Sequence, residues 1–201
     1  MYAIHTTPGF IIESRPYGEA GKTFFVFTRD LGMIRAVAQG IRFEKSKLRY
    51  HTQEYSFGVF SFVRGKEVWR MVSADSDLRF KIEDVRLEKK IAARHELIAR
   101  IALLLRRLLH GEEAHPQLFG QLEAFERFLE SNMEIDDEPM KSLESLVVFR
   151  MLHALGYVGK DQMLAPLLSS NEITIELLDQ TQASRMHMNQ HINKALRESH
   201  L

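Results

Sequence analysis

The chain contains no cysteine among its 201 residues. That excludes disulfides, thiolate metal sites, cysteine nucleophiles and thiol redox chemistry. Glycine (11) and proline (5) are too few for a collagen-like repeat or a low-complexity tract. No run reaches the roughly 18 consecutive apolar residues that a membrane span requires. The opening residues, Met1-Tyr2-Ala3-Ile4-His5-Thr6-Thr7-Pro8, lack the basic start and apolar stretch of a signal peptide, so the expected location is cytoplasmic. No G-x-x-x-x-G-K-[ST] loop occurs, which leaves ATP-driven remodelling without support. What remains is 45% hydrophobic and 27% charged, the balance of a folded soluble protein with one domain or two small ones.

A net charge of zero conceals an asymmetry. Residues 1–80 carry 12 Lys/Arg against 8 Asp/Glu, whereas residues 81–201 carry 15 against 19. The balances are +4 and −4, so the two parts are expected to attract different partners. The bias is sharpest between Arg15 and Arg49, where Arg15, Lys22, Arg29, Arg35, Arg42, Lys45, Lys47 and Arg49 face only Glu19, Asp30 and Glu44.

The hydrophobic pattern also changes along the chain. Up to Ala74 it reads as short strands joined by glycine turns, over residues 9–15, 22–28, 33–38, 53–63 and 66–72. Five short strands at this spacing predict a small antiparallel barrel, because closure protects their edges. From Ile82 the period becomes helical. Leu87, Ile91, Ile98, Ile101, Leu105 and Leu108 form one stripe, stopped by His110-Gly111. Leu118, Leu122, Phe125 and Leu129 mark a second helix. The acidic segment Asp136-Asp137-Glu138-Pro139 opens a third, which runs through Leu143, Leu146, Val147 and Leu155 and ends at Gly156. Residues 158–182 are ambiguous, and a last helix is expected over 183–198. The expected class is α+β, with a β domain over residues 1–78 and an all-α domain over 79–201.

A small barrel with a positive loop surface suits nucleic-acid backbone, since cations release counterions from phosphates and aromatic faces stack on bases. Tyr17, Phe43 and Tyr50 stand among the cations Arg42, Lys45, Lys47 and Arg49. Two readings are open for the rings: stacking on bases, or plugging the barrel.

The order of the motifs narrows the field. Gly9-Phe10-Ile11-Ile12-Glu13-Ser14-Arg15-Pro16-Tyr17-Gly18-Glu19 is followed by Phe27-Thr28-Arg29-Asp30-Leu31-Gly32, by Ala36-Val37-Ala38-Gln39-Gly40-Ile41-Arg42 and by Lys45-Ser46-Lys47-Leu48-Arg49. Further on stand Leu104-Leu105-Arg106-Arg107-Leu108-Leu109-His110-Gly111-Glu112-Glu113, Leu118-Phe119 and Phe149-Arg150-Met151-Leu152-His153-Ala154-Leu155-Gly156-Tyr157. Together they resemble the RecO family of bacterial recombination mediators over nearly the whole chain. The resemblance implies a five-stranded OB-fold barrel followed by a helical domain, in a nucleoid-associated bacterial protein. It implies binding to single- and double-stranded DNA, and contact with the acidic C-terminal tail of single-strand-binding protein. It further implies annealing of complementary strands and, with RecR, replacement of that coat by the RecA recombinase. By position, the DNA-contacting loop of the family corresponds to Arg42, Lys45, Lys47 and Arg49, with Arg15, Lys22 and Arg35 as weaker candidates on neighbouring strands. Many members carry a four-cysteine zinc module after the helix ending in Leu-Gly-Tyr. Here Val158-Gly159-Lys160-Asp161-Gln162-Met163 begins that region with no cysteine following, and the chain is shorter than is typical.

Other constellations are read as structural. His187 and His191 have the i,i+4 spacing of zinc ligands, but no Glu lies between them and no third ligand is evident, so they are expected to be surface histidines and no metal site is assigned. The run Glu134, Asp136, Asp137, Glu138 is contiguous and expected to be solvated, whereas metal sites draw carboxylates from separate elements. Ser46 lies between two lysines with no general base beside it. A groove with arginines at its mouth would seat an acidic peptide ending in Phe, and Arg94, Arg100, Arg106, Arg107 and Arg150 are the candidate cations. The expected protein is therefore a DNA-binding strand-annealing mediator with no enzymatic activity, cofactor, small-molecule substrate or membrane partner. The rival is a protein-interaction adaptor with little DNA affinity. Residues 158–182 carry no functional reading.

Overall fold

The computed structural model describes residues 3–76, 85–159 and 161–199. The chain divides into two compact units, one formed by Met1–Glu83 with Ile98–Pro116, the other by Asp84–Leu97 with Gln117–Leu201. The expected boundary at residues 78–79 lies outside the described residues, as does Ile82.

The first unit is built on a closed barrel of β1 (Ile4–Tyr17), β2 (Gly21–Thr28), β3 (Gly32–Ala38), β4 (Phe57–Arg64) and β5 (Trp69–Asp75), in the order β1-β2-β3-β5-β4. Strand β1 closes it by pairing twice. Its first half runs antiparallel to β4 (Ile4↔Val63 to Phe10↔Phe57) and its second half to β2 (Gly9↔Thr28 to Tyr17↔Gly21). A bulge between Ile11 and Glu13 lets the strand curve from one partner to the other. A short parallel pairing, Ala36↔Trp69 and Val37↔Arg70, joins β3 to β5. This is the OB-type barrel. Its core is Ile11, Phe24, Val26, Ile34, Ala36, Ala38, Ile41, Phe60, Phe62, Trp69 and Met71.

Three strand boundaries differ from the pattern. Strand β1 starts at Ile4 rather than Gly9, because its partner β4, and not its own alternation, holds Thr6, Thr7 and Pro8 extended. Strand β4 starts at Phe57 rather than Gln53. Residues 53–56 instead form a turn bonded to the bulge, with Tyr55 N–H donating to the Ile11 carbonyl (2.8 Å), Ile11 N–H donating to that of Ser56 (3.0 Å), and Tyr55 at φ 66°. Strand β5 runs from Trp69 to Asp75 rather than over 66–72, since Gly65 N–H donates to the Val68 carbonyl and prolongs the hairpin turn.

Residues after the barrel complete the same unit. Buried Trp69 donates its indole N–H to Glu112 Oε1 at 3.1 Å, satisfying the polar edge of the ring. Arg64 pairs with the same carboxylate and lies 4.8 Å from the Trp69 ring centroid. Met33 N–H donates to the Gly111 carbonyl, and a Cβ on Gly32 would stand 2.2 Å from the Glu113 carbonyl oxygen.

The helices are α1 (Val85–Leu108), α2 (Pro116–Ser131), α3 (Asp137–Ala154) and α4 (Ile175–Glu198), with a 3-10 turn at Ala165–Leu168. Residues of α1 contribute to both units. Of its expected stripe, Ile91, Ile101, Leu105 and Leu108 are buried and Ile98 is half-buried, while the Leu87 side chain lies outside the described residues. In the second unit α3 packs against α4 and is buried on most of its circumference, through Met140, Leu143, Leu146, Val147, Phe149, Met151 and Leu152. Gly156, at φ 79°, ends α3 by letting Gly156 N–H and Tyr157 N–H return to the His153 and Leu152 carbonyls. Helix α4 begins at Ile175, two turns before residue 183. The Thr174 hydroxyl accepts from Leu177 N–H (3.2 Å) and Glu176 lies in the first turn, a start signal obscured by the polar residues before it. Among the described residues no helix is long and apolar enough to cross a membrane.

Candidate nucleic-acid interface

The segment between β3 and β4 is anchored by apolar residues and leaves its cations outside. Ile41 is buried in the barrel core, Leu48 packs against that core, and buried Thr52 donates its hydroxyl to the Leu48 carbonyl at 2.8 Å. Backbone bonds fold the rest into successive turns. Arg42 N–H donates to the Ala20 carbonyl, Phe43 N–H to Gly40, Ser46 N–H to Phe43, and Arg49 N–H to Ser46. Gly40 adopts φ 67°, where a Cβ is strained. A 3-10 turn at Lys47–His51 completes the segment.

This scaffold exposes Arg42, Lys45, Lys47 and Arg49, and among the described residues none of the four is in an ion pair. Lys22 joins them from β2. It shares the inward-facing register of Phe24 and Val26, but it sits at the end of the strand, with Nζ 3.4 Å from Ser14 Oγ. Lys22, Arg42 and Arg49 thus line one open pocket of about 280 Å³ with Ile41 and Thr52. Three cations around one concavity free of carboxylates form a site for anionic oxygens.

Arg15 and Arg35 are not in that pocket. Arg15 pairs opposite Thr23 and its guanidinium is bound by Glu13. Arg35 pairs opposite Phe25, which itself pairs opposite Glu13, so the three form a row across the outer face of the barrel. Tyr17, Phe43 and Tyr50 are 49%, 64% and 60% exposed. Of the two open readings for these rings, plugging the barrel does not fit this exposure: Phe24, Phe60 and Phe62 fill that space.

The arginines proposed for a peptide groove separate. Arg94 and Arg150 are 2% and 3% exposed, so neither stands at a groove mouth. Arg94 donates to the Asn132 carbonyl (3.2 Å). Arg150 donates through Nε to the Leu167 carbonyl (2.8 Å) and through a terminal nitrogen to that of Asn171 (3.1 Å). Burial lowers the pKa of both, that of Arg150 to about 10, which still leaves it charged at neutral pH. Arg106 lies 3.9 Å above the Phe25 ring centroid, with Nε 3.9 Å from Glu13 Oε2, and braces the outer row of the barrel. Arg100 and Arg107 are exposed.

The acidic segment is tied down by cations. Lys90 bonds Asp136 (3.2 Å) and the Glu134 carbonyl, while Glu138 bonds Lys141 (2.6 Å) and Arg185 (3.0 Å). His187 and His191 are not independent surface residues, since both face Asp161 from α4. The i,i+4 spacing marks the two imidazoles, but Asp161 lies 26 residues before His187 and no sequence signal links them.

Known proteins are similar to parts of this sequence. The family model for Recombination protein O N terminal matches residues 1–76. The chain is 26% identical over 132 residues to a DNA repair protein RecO of Halalkalibacterium halodurans, covering 66% of this chain and 50% of that one. It is 29% identical over 133 residues to a DNA repair protein RecO of Rubrobacter xylanophilus, covering 61% and 54%. It is 35% identical over 63 residues to the protein of that name from Alkaliphilus metalliredigens, covering 31% and 26%. The chain spans about half the length of the first two of these curated relatives. An OB-type barrel closed over residues 4–75, a family match over residues 1–76 and relatives whose likeness runs on into the helices make the chain similar to RecO proteins, above all in its N-terminal domain.

Proposed function

We propose that this chain binds DNA through the pocket of Lys22, Arg42 and Arg49 and the adjoining Lys45 and Lys47, and acts as a mediator in recombinational DNA repair. The observation that carries the reading is the gathering of cations without acidic partners around one end of the barrel, beside the exposed rings of Tyr17, Phe43 and Tyr50. The relatives' name, DNA repair protein, supports the setting.

The mechanism makes and breaks no covalent bond. Cations on the loop replace counterions along a phosphate backbone, and the exposed rings offer stacking faces to unpaired bases. Neutralising phosphates on two strands at once lowers the repulsion between complementary single strands and promotes their annealing. Both single- and double-stranded DNA are ligands, because phosphate contacts carry no sequence information. Arg107 is exposed and offers a cation to the acidic C-terminal tail of single-strand-binding protein, and RecR and the RecA recombinase complete the exchange.

The test is anisotropy of a labelled single-stranded oligonucleotide across a salt series. If about six phosphates are engaged, log affinity falls against log salt with a slope of about −4. In Arg42→Ala/Lys45→Ala/Lys47→Ala/Arg49→Ala the slope should weaken by about 3 and low-salt affinity should fall more than about tenfold. The Tm should be unchanged, since all four side chains are exposed. No binding by folded wild type at low salt would overturn the reading in favour of a protein-interaction adaptor.

A further inference from the structure

We infer that Asp161, His187 and His191 form a site for a divalent transition metal of the Zn2+ class, which fastens the segment after α3 to helix α4. The two histidines stand one helical turn apart and turn their Nε2 atoms to the same carboxylate oxygen, at 3.0 and 3.1 Å from Asp161 Oδ2. All three donor atoms lie within 4.8 Å of one another. Tetrahedral zinc with bonds of about 2.0–2.1 Å spaces its ligand atoms about 3.4 Å apart, so the two carboxylate–imidazole distances need a few tenths of an ångström of widening to admit the ion between them.

The carboxylate is already oriented for this task. Asp161 Oδ1 accepts from Met163 N–H at 2.8 Å, which leaves Oδ2 turned toward the histidines. Ligands held by a surrounding hydrogen bond in this way are characteristic of metal centres. The imidazole rings meet edge to face with centroids 4.8 Å apart, so both nitrogens converge without the rings stacking. All three groups are half-buried, open enough for an ion to enter and for water to take the fourth position. Two imidazoles and one carboxylate select borderline ions such as Zn2+ over Mg2+ and Ca2+, which require mostly oxygen. Without an ion, two ring nitrogens must share a single oxygen, an arrangement satisfied only when both carry hydrogen at Nε2.

The experiment uses the full chain stripped with chelator, titrated with Zn2+ by calorimetry and followed by thermal unfolding. One equivalent should bind, and Tm should rise by about 5 °C at saturation, whereas Mg2+ should leave it unchanged. His187→Gln/His191→Gln should weaken Zn2+ binding on the order of a hundredfold, while His110→Gln/His115→Gln retains it. Should the first variant misfold, Co2+ added to wild type decides: visible d–d bands of a four- or five-coordinate site support the proposal, and their absence overturns it. A folded wild type that neither binds nor is stabilised by Zn2+ overturns it as well. So does affinity unchanged in His187→Gln/His191→Gln, which would place the ion elsewhere.

Discussion

Arg150 is a cation inside a helical core, and the Leu167 and Asn171 carbonyls that receive its hydrogen bonds explain its presence there. Those carbonyls belong to a stretch with little regular structure of its own, so the guanidinium does for this segment what a ladder of backbone bonds does for a strand. Gly32 is the corresponding demanding position in the barrel unit. It sits at φ 71° after a turn held by Thr28, whose hydroxyl accepts from Leu31 N–H and donates to the Gly32 carbonyl. Any Cβ there meets the Glu113 backbone at 2.2 Å. Gly32→Ala should therefore destabilise the protein by about 2–4 kcal/mol, from left-handed strain and overpacking together. Urea unfolding would show this as a lower midpoint at unchanged m value, and a midpoint equal to that of wild type would refute the packing of Glu113 on this turn.

At the scale of elements, β1 and the β3–β4 segment divide the labour. The bulge between Ile11 and Glu13 lets β1 close the barrel, and the anchors Ile41, Leu48 and Thr52 hold the loop against it. The cations of the loop can then differ in sequence without disturbing the core. Helices α3 and α4 are tied at the surface by Glu138, which bonds Lys141 on its own helix and Arg185 on α4. These hydrogen bonds hold the Glu138 carboxyl below its ordinary pKa of 4.5. A carboxyl whose folded pKa is depressed stabilises the fold above its unfolded pKa and loses that contribution as pH falls through the folded one. Wild type should accordingly exceed Glu138→Gln in Tm at pH 7, and the gap should narrow as pH falls below the ordinary value of 4.5 and through the lower folded pKa. A gap that does not narrow at all as pH falls below 4.5 would show that the ionised carboxylate is not its source.

For the molecule as a whole, the contact units do not track the change of secondary structure. Ile98–Pro116 belongs to the same unit as the barrel, although much of it is helical. The reasons are specific: Trp69 and Arg64 share Glu112, Met33 bonds Gly111, and Arg106 covers Phe25. A fragment of residues 1–76, the span of the N-terminal family match, lacks all of these partners. It should be less stable than a fragment of residues 1–116 by at least about 3 kcal/mol, the worth of one or two buried apolar side chains with their polar anchors. Equal urea midpoints for the two fragments would show that the barrel gains nothing from Arg106, Gly111 and Glu112.

Barrel and helices were legible in the sequence because alternation of period two and stripes of period 3.6 are local properties of a chain, and so were the positions of its glycine stops. The cationic loop was legible too, since charge is compositional, whereas the exposure of Tyr17, Phe43 and Tyr50 was not. Strand ends were not. Residues 4–8 are extended only because β4 pairs with them, and residues 53–56 turn only because β1 bulges to meet them. Nor could sequence separate the arginines. Arg94, Arg106 and Arg150 look like surface cations on helices, and burial, a ring face and distant carbonyls give them internal roles. The meeting of Asp161 with His187 and His191, and of Lys22 with Arg42 and Arg49, depends on chain segments far apart in number. Local pattern determined the kind of each element and the charge it carries. Which side chains share a site was decided by tertiary structure, because convergence in space is a property of packing that no single segment encodes.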